Sequence, residues 1–515
     1  MENAFDFVIV GAGSAGCILA ARLSEGGRYS VLLLEAGPPD SSPYIHMPRG
    51  VGRVMSDTGR MYYYQTEREP GDDEGPSPMW VRGRTLGGSS SVNGMIYVRG
   101  QSEDYDEWER AGATGWNGAA MARAYESVER HLRTSIQVYP TKFSEAVFAA
   151  ARALGVPERH DRRGVDGEGI GFTPCTIADG RRVSAARAFL APARKRHNLV
   201  VKTGARVEWI LFEDRRAVGV VAESQTWRAR REVILCAGAI ESPALLQRSG
   251  VGPAEVLHKA DVPVVLDLPG VGQHLREHKL LMFQWRLKAN IGENAELSGW
   301  RLLRNGLRYV LTRKGTLSRT YDLNAFTRSR PDVDRPDVQL TFSAFSRDMT
   351  TNDIRLERTP GIQIFGYPLR PTSEGSIAIV SPSSAVPPRI RPNYLATPYD
   401  RQVTVDIAHF VRKLAATPPL ADIIECETTP GPAMTDDPES IIAAAKGGDS
   451  CAHAIGTCRI GRPEDSVVDP ELRVHGLSGL RVMDCSVMPT QVSGNTNAPV
   501  MAMAWRAADI ILGSA

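Results

Sequence analysis

Phe5-Asp6-Phe7-Val8-Ile9-Val10-Gly11-Ala12-Gly13-Ser14-Ala15-Gly16 is the stretch that decides the fold. Phe5 to Val10 reads as a short buried strand, and a helical stretch, Cys17 to Leu23, follows the glycines. A second buried strand, Val31-Leu32-Leu33-Leu34, ends on Glu35. Strand, GxGxxG, helix, strand and acid, in that order, make the βαβ dinucleotide fingerprint in its required context. Gly11 permits the tight turn, Gly13 lets the backbone approach a pyrophosphate, and Gly16 lets the helix pack closely on the strand. The helix start offers free N–H groups and a positive dipole end to phosphates. Glu35 is placed to accept hydrogen bonds from ribose hydroxyls, and it would repel a 2′-phosphate, which disfavours NADP. The fingerprint by itself does not separate FAD from NAD.

The chain around this unit has 515 residues, room for two to four units of ordinary domain size. Its formal net charge of +2 argues against a protein built to coat nucleic acid. Arg194-Lys195-Arg196 and Arg228–Arg231 are short and flank strands, so solvated faces are expected there. Seven cysteines, an odd and sparse set, are no disulfide framework. Cys451, His453 and Cys458 lack the spacing of a zinc pair, so no metal is expected. No apolar run reaches the ~18–20 residues of a membrane helix. The first residues carry no basic leader, and the expected location is the cytoplasm.

Further along, residues 38–80 read as irregular. Arg84-Thr85-Leu86-Gly87-Gly88-Ser89-Ser90-Ser91-Val92-Asn93-Gly94 forms a second small-residue loop able to hold a polar ligand. Helical spacing marks 119–133 and 143–154 as helices, and 155–183, rich in Gly, Arg and Asp, reads as a long loop. From Leu199 to Leu235 four strand-like runs alternate with polar turns. They lead into Cys236-Ala237-Gly238-Ala239 and a short helix, ALLQ. Residues 280–445 mix strands (Ile362–Tyr367, Gly375–Val380) with a helix carrying Val403, Ile407, Val411 and Leu414. Leu480 to Asp484 reads as a strand ending in an acid, and Pro499 suits the first turn of a final helix. The two ends of the chain are therefore expected to meet in one domain, with the second inserted between.

The set GAGSAG (11–16) with Glu35, RGRTLGGSSSVNGMIYVRG (82–100), CAGAIESPALLQRSGVGP (236–253), PGVGQHLREH (269–278), HAIGTCRIG (453–461) and GLRVMDCSVMPTQVSGNTNAP (479–499) resembles the glucose–methanol–choline oxidoreductases. The match spans essentially the whole chain. It implies an α/β fold, with a Rossmann-like FAD-binding domain and an inserted α+β substrate domain on an antiparallel sheet. The expected partition is 1–155, 195–278 and 450–515 for FAD, with 156–194 and 279–449 for substrate. The resemblance, not composition or periodicity, decides FAD over NAD. It implies cofactor contacts at Gly11, Gly13, Ser14, Ala15, Gly16, Glu35, Ala36, Arg84, Gly87, Ser90, Asn93, Gly94, Met95, Val207, Ala237, Gly238, Asp484, Thr496 and Asn497.

The family's catalytic pair falls on His453 and Asn495. Members with covalent flavin carry a histidine where this chain has Val92, so FAD is expected to be held non-covalently. The usual Asn and Asp of GVGxNLxDH are His274 and Glu277 here, changes that the sequence leaves without a physical account. The residue before the catalytic His, often aromatic, is Ala452.

The implied reaction oxidises an alcohol to an aldehyde or ketone, moving a hydride to flavin N5. A neutral imidazole can take the hydroxyl proton at neutral pH, which makes His453 the base. Asn495 can hold the alcohol oxygen by a hydrogen bond. The expected partners are a small-molecule alcohol and an electron acceptor, quinone-like or oxygen, with the non-oxygen acceptor favoured. Ala452 removes an aromatic face that a choline cage would use, so a bulky or aromatic alcohol is expected. The alternative is that Tyr321 or Phe345 fills the same volume. The rivals are a hydroxynitrile lyase-type flavoprotein without redox chemistry, a choline-type dehydrogenase and an NAD-dependent dehydrogenase.

Overall fold

The computed structural model describes residues 3–69, 78–159, 166–349 and 355–513. Two sheets organise the chain. The first runs Leu199–Thr203, Val31–Glu35, Ala4–Val10, Gln225–Leu235, Arg216–Ala222 and Val207–Glu213, and Leu480–Val482 also pairs with Gln225–Leu235. The strands around Ala4–Val10 are parallel, with Phe7 opposite Val31 and Val8 opposite Val233. Val8, Ile9 and Leu32 to Leu34 are buried on both faces, as near-continuous apolar runs in parallel strands require. Helices Ser14–Leu23 and Asn497–Leu512 lie against each other and share this core. The two ends of the chain therefore do meet.

The second sheet is antiparallel throughout, in the order Ile424–Thr429, Leu281–Leu287, Gly361–Pro368, Val338–Ser343, Leu323–Thr327 and Gly169–Phe172. Its strands alternate with period two. Leu281, Phe283, Leu340, Phe342, Ile362 and Ile364 share a core with Val403, Ile407 and Val411 of helix Pro398–Ala415. The opposite face carries Met282, Phe326, Phe365 and Tyr367 among buried Asn324, Gln339 and Thr341. That face turns toward His453.

Several sequence readings shift. Residues 38–80 are not wholly irregular: Met61–Gln65 and Met79–Gly83 pair as an antiparallel hairpin, joined through residues 70–77 that lie outside the described set. Gly169–Phe172, read as loop, is an edge strand whose partner Leu323–Thr327 supplies the missing hydrogen bonds. The helix read as ALLQ spans Gly238–Arg248 and takes Pro243 into its interior. Of Gly375–Val380 only Ser376–Ala378 is strand, in a separate two-stranded sheet with Arg389–Arg391. The two cores also divide elsewhere than at 155 and 194. Phe143, Val147 and Ala150 pack with the antiparallel sheet, while Ala186, Phe189 and Leu190 pack with the parallel one.

Candidate active site

Three glycines shape the first loop by what a side chain would meet. Gly11 has φ +100°, and a Cβ on Gly16 would lie 1.9 Å from the Gly11 carbonyl oxygen. Around Gly13 the space is open, its nearest neighbour being the Cys236 carbonyl oxygen at 3.9 Å from an added Cβ. No side chain caps helix Ser14–Leu23, so its first-turn N–H groups are free to take an anion. The second loop comes up to the first. A Cβ on Gly88 would meet the Gly13 Cα at 2.8 Å, and the Gly87 N–H donates to the Ala12 carbonyl at 2.7 Å. Ser14 Oγ donates to Asn497 Oδ1 at 2.7 Å, tying the loop to the start of the final helix beside Thr496.

Glu35 does more than wait for a ribose. Its carboxylate accepts from the Ala12 N–H of the glycine loop at 2.9 Å and from the Gly37 N–H, just past Ala36, at 2.8 Å. Burial pushes its carboxyl up to about 7. Ser90 and Asp484 are likewise engaged by the protein itself. Ser90 Oγ bonds the Gly87 carbonyl and the Ala185 N–H. Asp484 accepts from the Gly238 N–H, Ser242 Oγ and the Ser486 N–H, holding the turn at Ala237. Asn93 Oδ1 accepts from the Met95 N–H at 3.0 Å and from the buried Arg182 at 2.7 Å. Gly94 lies beneath the Tyr321 ring. Met95 takes φ +64°, which the Asn93 bond stabilises. Arg84 lies over the Tyr62 ring, and Val207 is buried at the start of its strand next to the Glu35 end of the sheet. Val92 packs with Ile45, Val54 and Met61 and offers no nucleophile.

The second half of the site is a chain of side chains. His278 Nε2 lies 2.9 Å from the Leu369 carbonyl, and His278 Nδ1 lies 2.9 Å from His453 Nδ1. A carbonyl only accepts, so His278 carries its proton on Nε2 and presents a lone pair on Nδ1. The proton between the two Nδ1 atoms therefore belongs to His453. Its Nε2 is left unprotonated, with a lone pair that accepts from Asn495 Nδ2 at 3.2 Å. Burial holds both imidazoles neutral, with His278 pushed down to about 4 and His453 well below its usual value, by burial first and then by His278 and Arg82. Gln339 Nε2 donates to Asn495 Oδ1 at 3.2 Å, which turns the Asn495 amide so that its N–H faces His453.

Behind this pair Glu277 Oε1 accepts from the backbone N–H groups of His453 at 2.7 Å and His278 at 2.9 Å. Its carboxyl is raised to about 7 by burial, opposed by Arg82 at 3.4 Å. Glu277 thus fixes both histidine backbones. His274 has φ +58°, a left-handed conformation that Asn and His adopt more readily than most residues. Its ring bonds Glu374 at 2.7 Å, away from the histidine pair. Ala452 is exposed with φ +62°. Of the two aromatics that were candidates to fill its space, Tyr321 packs on Gly94 and Phe365, while Phe345 stacks under Arg49.

Residues 5–280 and 371–504 match the N-terminal and C-terminal sequence profiles of the GMC oxidoreductases. This chain is a GMC oxidoreductase. It is 38% identical to the oxygen-dependent choline dehydrogenase of Vibrio vulnificus (strain YJ016) over 99% of this chain and 95% of that protein. It is 36% identical to an alcohol dehydrogenase (acceptor) of Pseudomonas putida over 99% of this chain and 96% of that one. Among solved structures, pyridoxine 4-oxidase from Mesorbium loti superposes with a TM-score of 0.86 at 29% identity, covering 98% of each chain. A point variant of formate oxidase from Aspergillus oryzae RIB40 superposes with a TM-score of 0.90 at 25% identity, covering 99% of this chain and 98% of that one. GMC oxidoreductases use FAD. The open backbone at Gly13, the uncapped helix start and the second glycine loop beside it fit that cofactor.

His278, Gln339 and Arg182 escaped the sequence reading. His278 stood in plain view as the last residue of PGVGQHLREH. Gln339 and Arg182 sit in no motif, and only the tertiary fold brings them to the site.

Proposed function

We propose that this GMC oxidoreductase oxidises an alcohol to the aldehyde or ketone, with His453 as the base and Asn495 as the group that holds the alcohol oxygen. The unprotonated Nε2 of His453, facing a donor on Asn495, is the observation that carries this reading. An alcohol O–H placed between them gives its proton to Nε2 while its oxygen accepts from Asn495 Nδ2. His278 keeps the His453 proton on Nδ1, so the base faces the right way before substrate arrives. Bound FAD supplies the acceptor for the hydride leaving the carbon. Gly11, Gly13, Ser14, Ala15, Gly16, Glu35 and the loop from Arg84 to Met95 would hold it, without a covalent link at Val92. The region on the parallel sheet forms the Rossmann-like FAD domain in this reading, and the region on the antiparallel sheet the inserted substrate domain.

Ile96, Val98, Leu280, Met282, Phe365 and Tyr367 form one buried apolar cluster, and its Tyr367 ring reaches the histidine pair. Tyr367 lies 4.5 Å from the His278 ring and 5.9 Å from the His453 ring, centroid to centroid. An apolar, neutral alcohol with a bulky or aromatic body fits this wall best. The aromatic faces of Tyr321, Phe365 and Tyr367 favour a second reading, choline, through cation–π contact. The choline dehydrogenases among the relatives support it too. Anaerobic mixing with benzyl alcohol, a long-chain alcohol and choline, followed by flavin bleaching, decides between them. Faster bleaching by choline would overturn the neutral-alcohol reading, and no bleaching by any alcohol would overturn the redox function. The acceptor is proposed to be quinone-like rather than oxygen, and reoxidation rates with each measure that preference.

A further inference from the structure

Helix Gly299–Thr312 (GWRLLRNGLRYVLT) is docked the wrong way round for an ordinary surface helix. Such helices bury their apolar stripe and expose their polar one. Here the buried residues are Asn305 and Tyr309. Asn305 Nδ2 donates to the Glu296 carbonyl at 2.8 Å, and Tyr309 OH donates to the Gly180 carbonyl at 3.0 Å. At about 100° per residue, Trp300, Leu303, Leu307, Val310 and Leu311 fall in one stripe on the side away from those two anchors. Their exposures are 65, 76, 62, 60 and 73%.

Charge is arranged beside the stripe. Arg304, Arg308 and Arg301 follow it around the helix, and Arg313 and Lys314 close its C-terminal end. The acid paired with this set is Glu296, 2.7 Å from Arg304 and 3.8 Å from Arg301. Trp and Leu on one side with arginines along the other is the chemistry of a helix lying in a bilayer interface.

We infer that helix Gly299–Thr312 docks the protein onto an anionic lipid bilayer, with Trp300, Leu303, Leu307 and Leu311 in the acyl boundary and the arginines against headgroup phosphates. Charge complementarity selects this occupant over a second copy of the chain, whose own arginines would meet these. It is also consistent with the absence, among the described residues, of any helix long and apolar enough to cross a membrane, because the helix lies on the surface rather than spanning. The chain leaving the helix reaches the site at once: Thr320 Oγ1 donates to the Gly94 carbonyl at 2.8 Å, and Tyr321 packs on Gly94. Docking therefore brings the Gly94 loop close to a phase that carries apolar alcohols and quinones.

The test is flotation of the holoenzyme with vesicles of phosphatidylglycerol and phosphatidylethanolamine, beside vesicles of phosphatidylcholine alone. Wild type should float with the anionic vesicles and much less with the neutral ones. Leu303→Glu/Leu307→Glu should stay with the soluble fraction, with an unchanged melting temperature and unchanged flavin reduction in solution. Arg304→Gln/Arg308→Gln should weaken anionic-vesicle binding about fivefold per charge removed. Wild type that floats with neither composition, or a double-Glu variant that floats as well as wild type, overturns the inference. So does a dimer in light scattering that the double-Glu change dissolves while vesicles go unbound, which would assign the face to a second copy.

Discussion

The loop Gly11–Gly16 and the corner around His453 make opposite use of the chain. In the loop, six consecutive residues create the surface, and what counts is backbone: a left-handed Gly11, an absent Cβ at Gly16, an open face at Gly13. In the corner, four side chains at 278, 339, 453 and 495 create it, drawn from both sheets' surroundings. The loop is held by one acid near in sequence, Glu35. The corner is held by Glu277 on two backbones and by a line of proton positions running from the Leu369 carbonyl to His453 Nε2. A binding surface made of backbone tolerates side-chain drift but no added Cβ. A relay made of side chains tolerates backbone shifts poorly, because each proton's place depends on the next partner. The first should therefore fail through affinity and the second through rate.

His453→Ala tests the separation with the largest effect. Loss of a general base costs ~10²–10⁴ in rate. The variant should keep its yellow colour and its FAD affinity while anaerobic flavin reduction slows by that factor. A variant reduced as fast as wild type would remove the base from His453. One that loses FAD would show that the two regions are not separable.

Glu35→Ala probes the other region. It removes the acceptor for the Ala12 and Gly37 N–H groups, and the charge offered to a ribose, together worth ~1.5–3 kcal/mol before compensation. FAD should dissociate on dilution roughly 10–100-fold more readily, while reduction of the flavin that remains keeps its wild-type rate. An unchanged dissociation constant, read by fluorescence of released FAD, would mean that Gly11 to Gly16 hold their shape without the acid.

His278→Leu sharpens the contrast from inside the corner. The His453 Nδ1 proton loses its acceptor, so the imidazole is free to place its proton on either nitrogen. One lost hydrogen bond of about 1 kcal/mol predicts a limiting reduction rate lower by about five- to tenfold. Substrate affinity and FAD affinity should stay put, a split that general loosening of the fold would not produce. A variant with an unchanged limiting rate would show that His453 keeps its tautomer without His278.

The same contrast explains what the sequence made legible. GAGSAG with Glu35 is local, so the spacing of its residues already contains its geometry. His453 and Asn495 were reached through motifs whose residues carry the family resemblance, not through any local rule. Gln339 sits in a strand that reads only as alternating, and nothing in the order of residues says that it meets Asn495, 156 positions away. Gly169–Phe172 looked like loop because it lies in a span rich in Gly, Arg and Asp, and its strand state comes from Leu323–Thr327 beside it. Tertiary pairing overrode propensity there. Helix Gly299–Thr312 went unread among residues 280–445, and which of its faces meets the body is fixed by the contacts of Asn305 and Tyr309.

Glu277→Gln is the smallest change and the finest probe of the corner. The single oxygen Oε1 accepts from both histidine N–H groups, and a glutamine oxygen can do the same. Flavin reduction should therefore stay within about threefold of wild type, the loss of a weak partial contact. Stability should respond to pH instead. Burial raises this carboxyl to about 7, whereas an unfolded glutamate titrates near ~4.3. Between these values the folded wild type holds a proton that the unfolded chain has released, so this group's contribution to stability falls as pH rises through the window. Glutamine has no such proton. The melting temperature of Glu277→Gln should gain on that of wild type from pH 5 to pH 8, and the gain should level off above about 7, where the folded carboxylate is ionised beside Arg82. A difference that is the same at both ends would place the Glu277 carboxyl at its ordinary value. A rate that collapses at every pH would show that the charge itself, and not the acceptor, holds the two histidines.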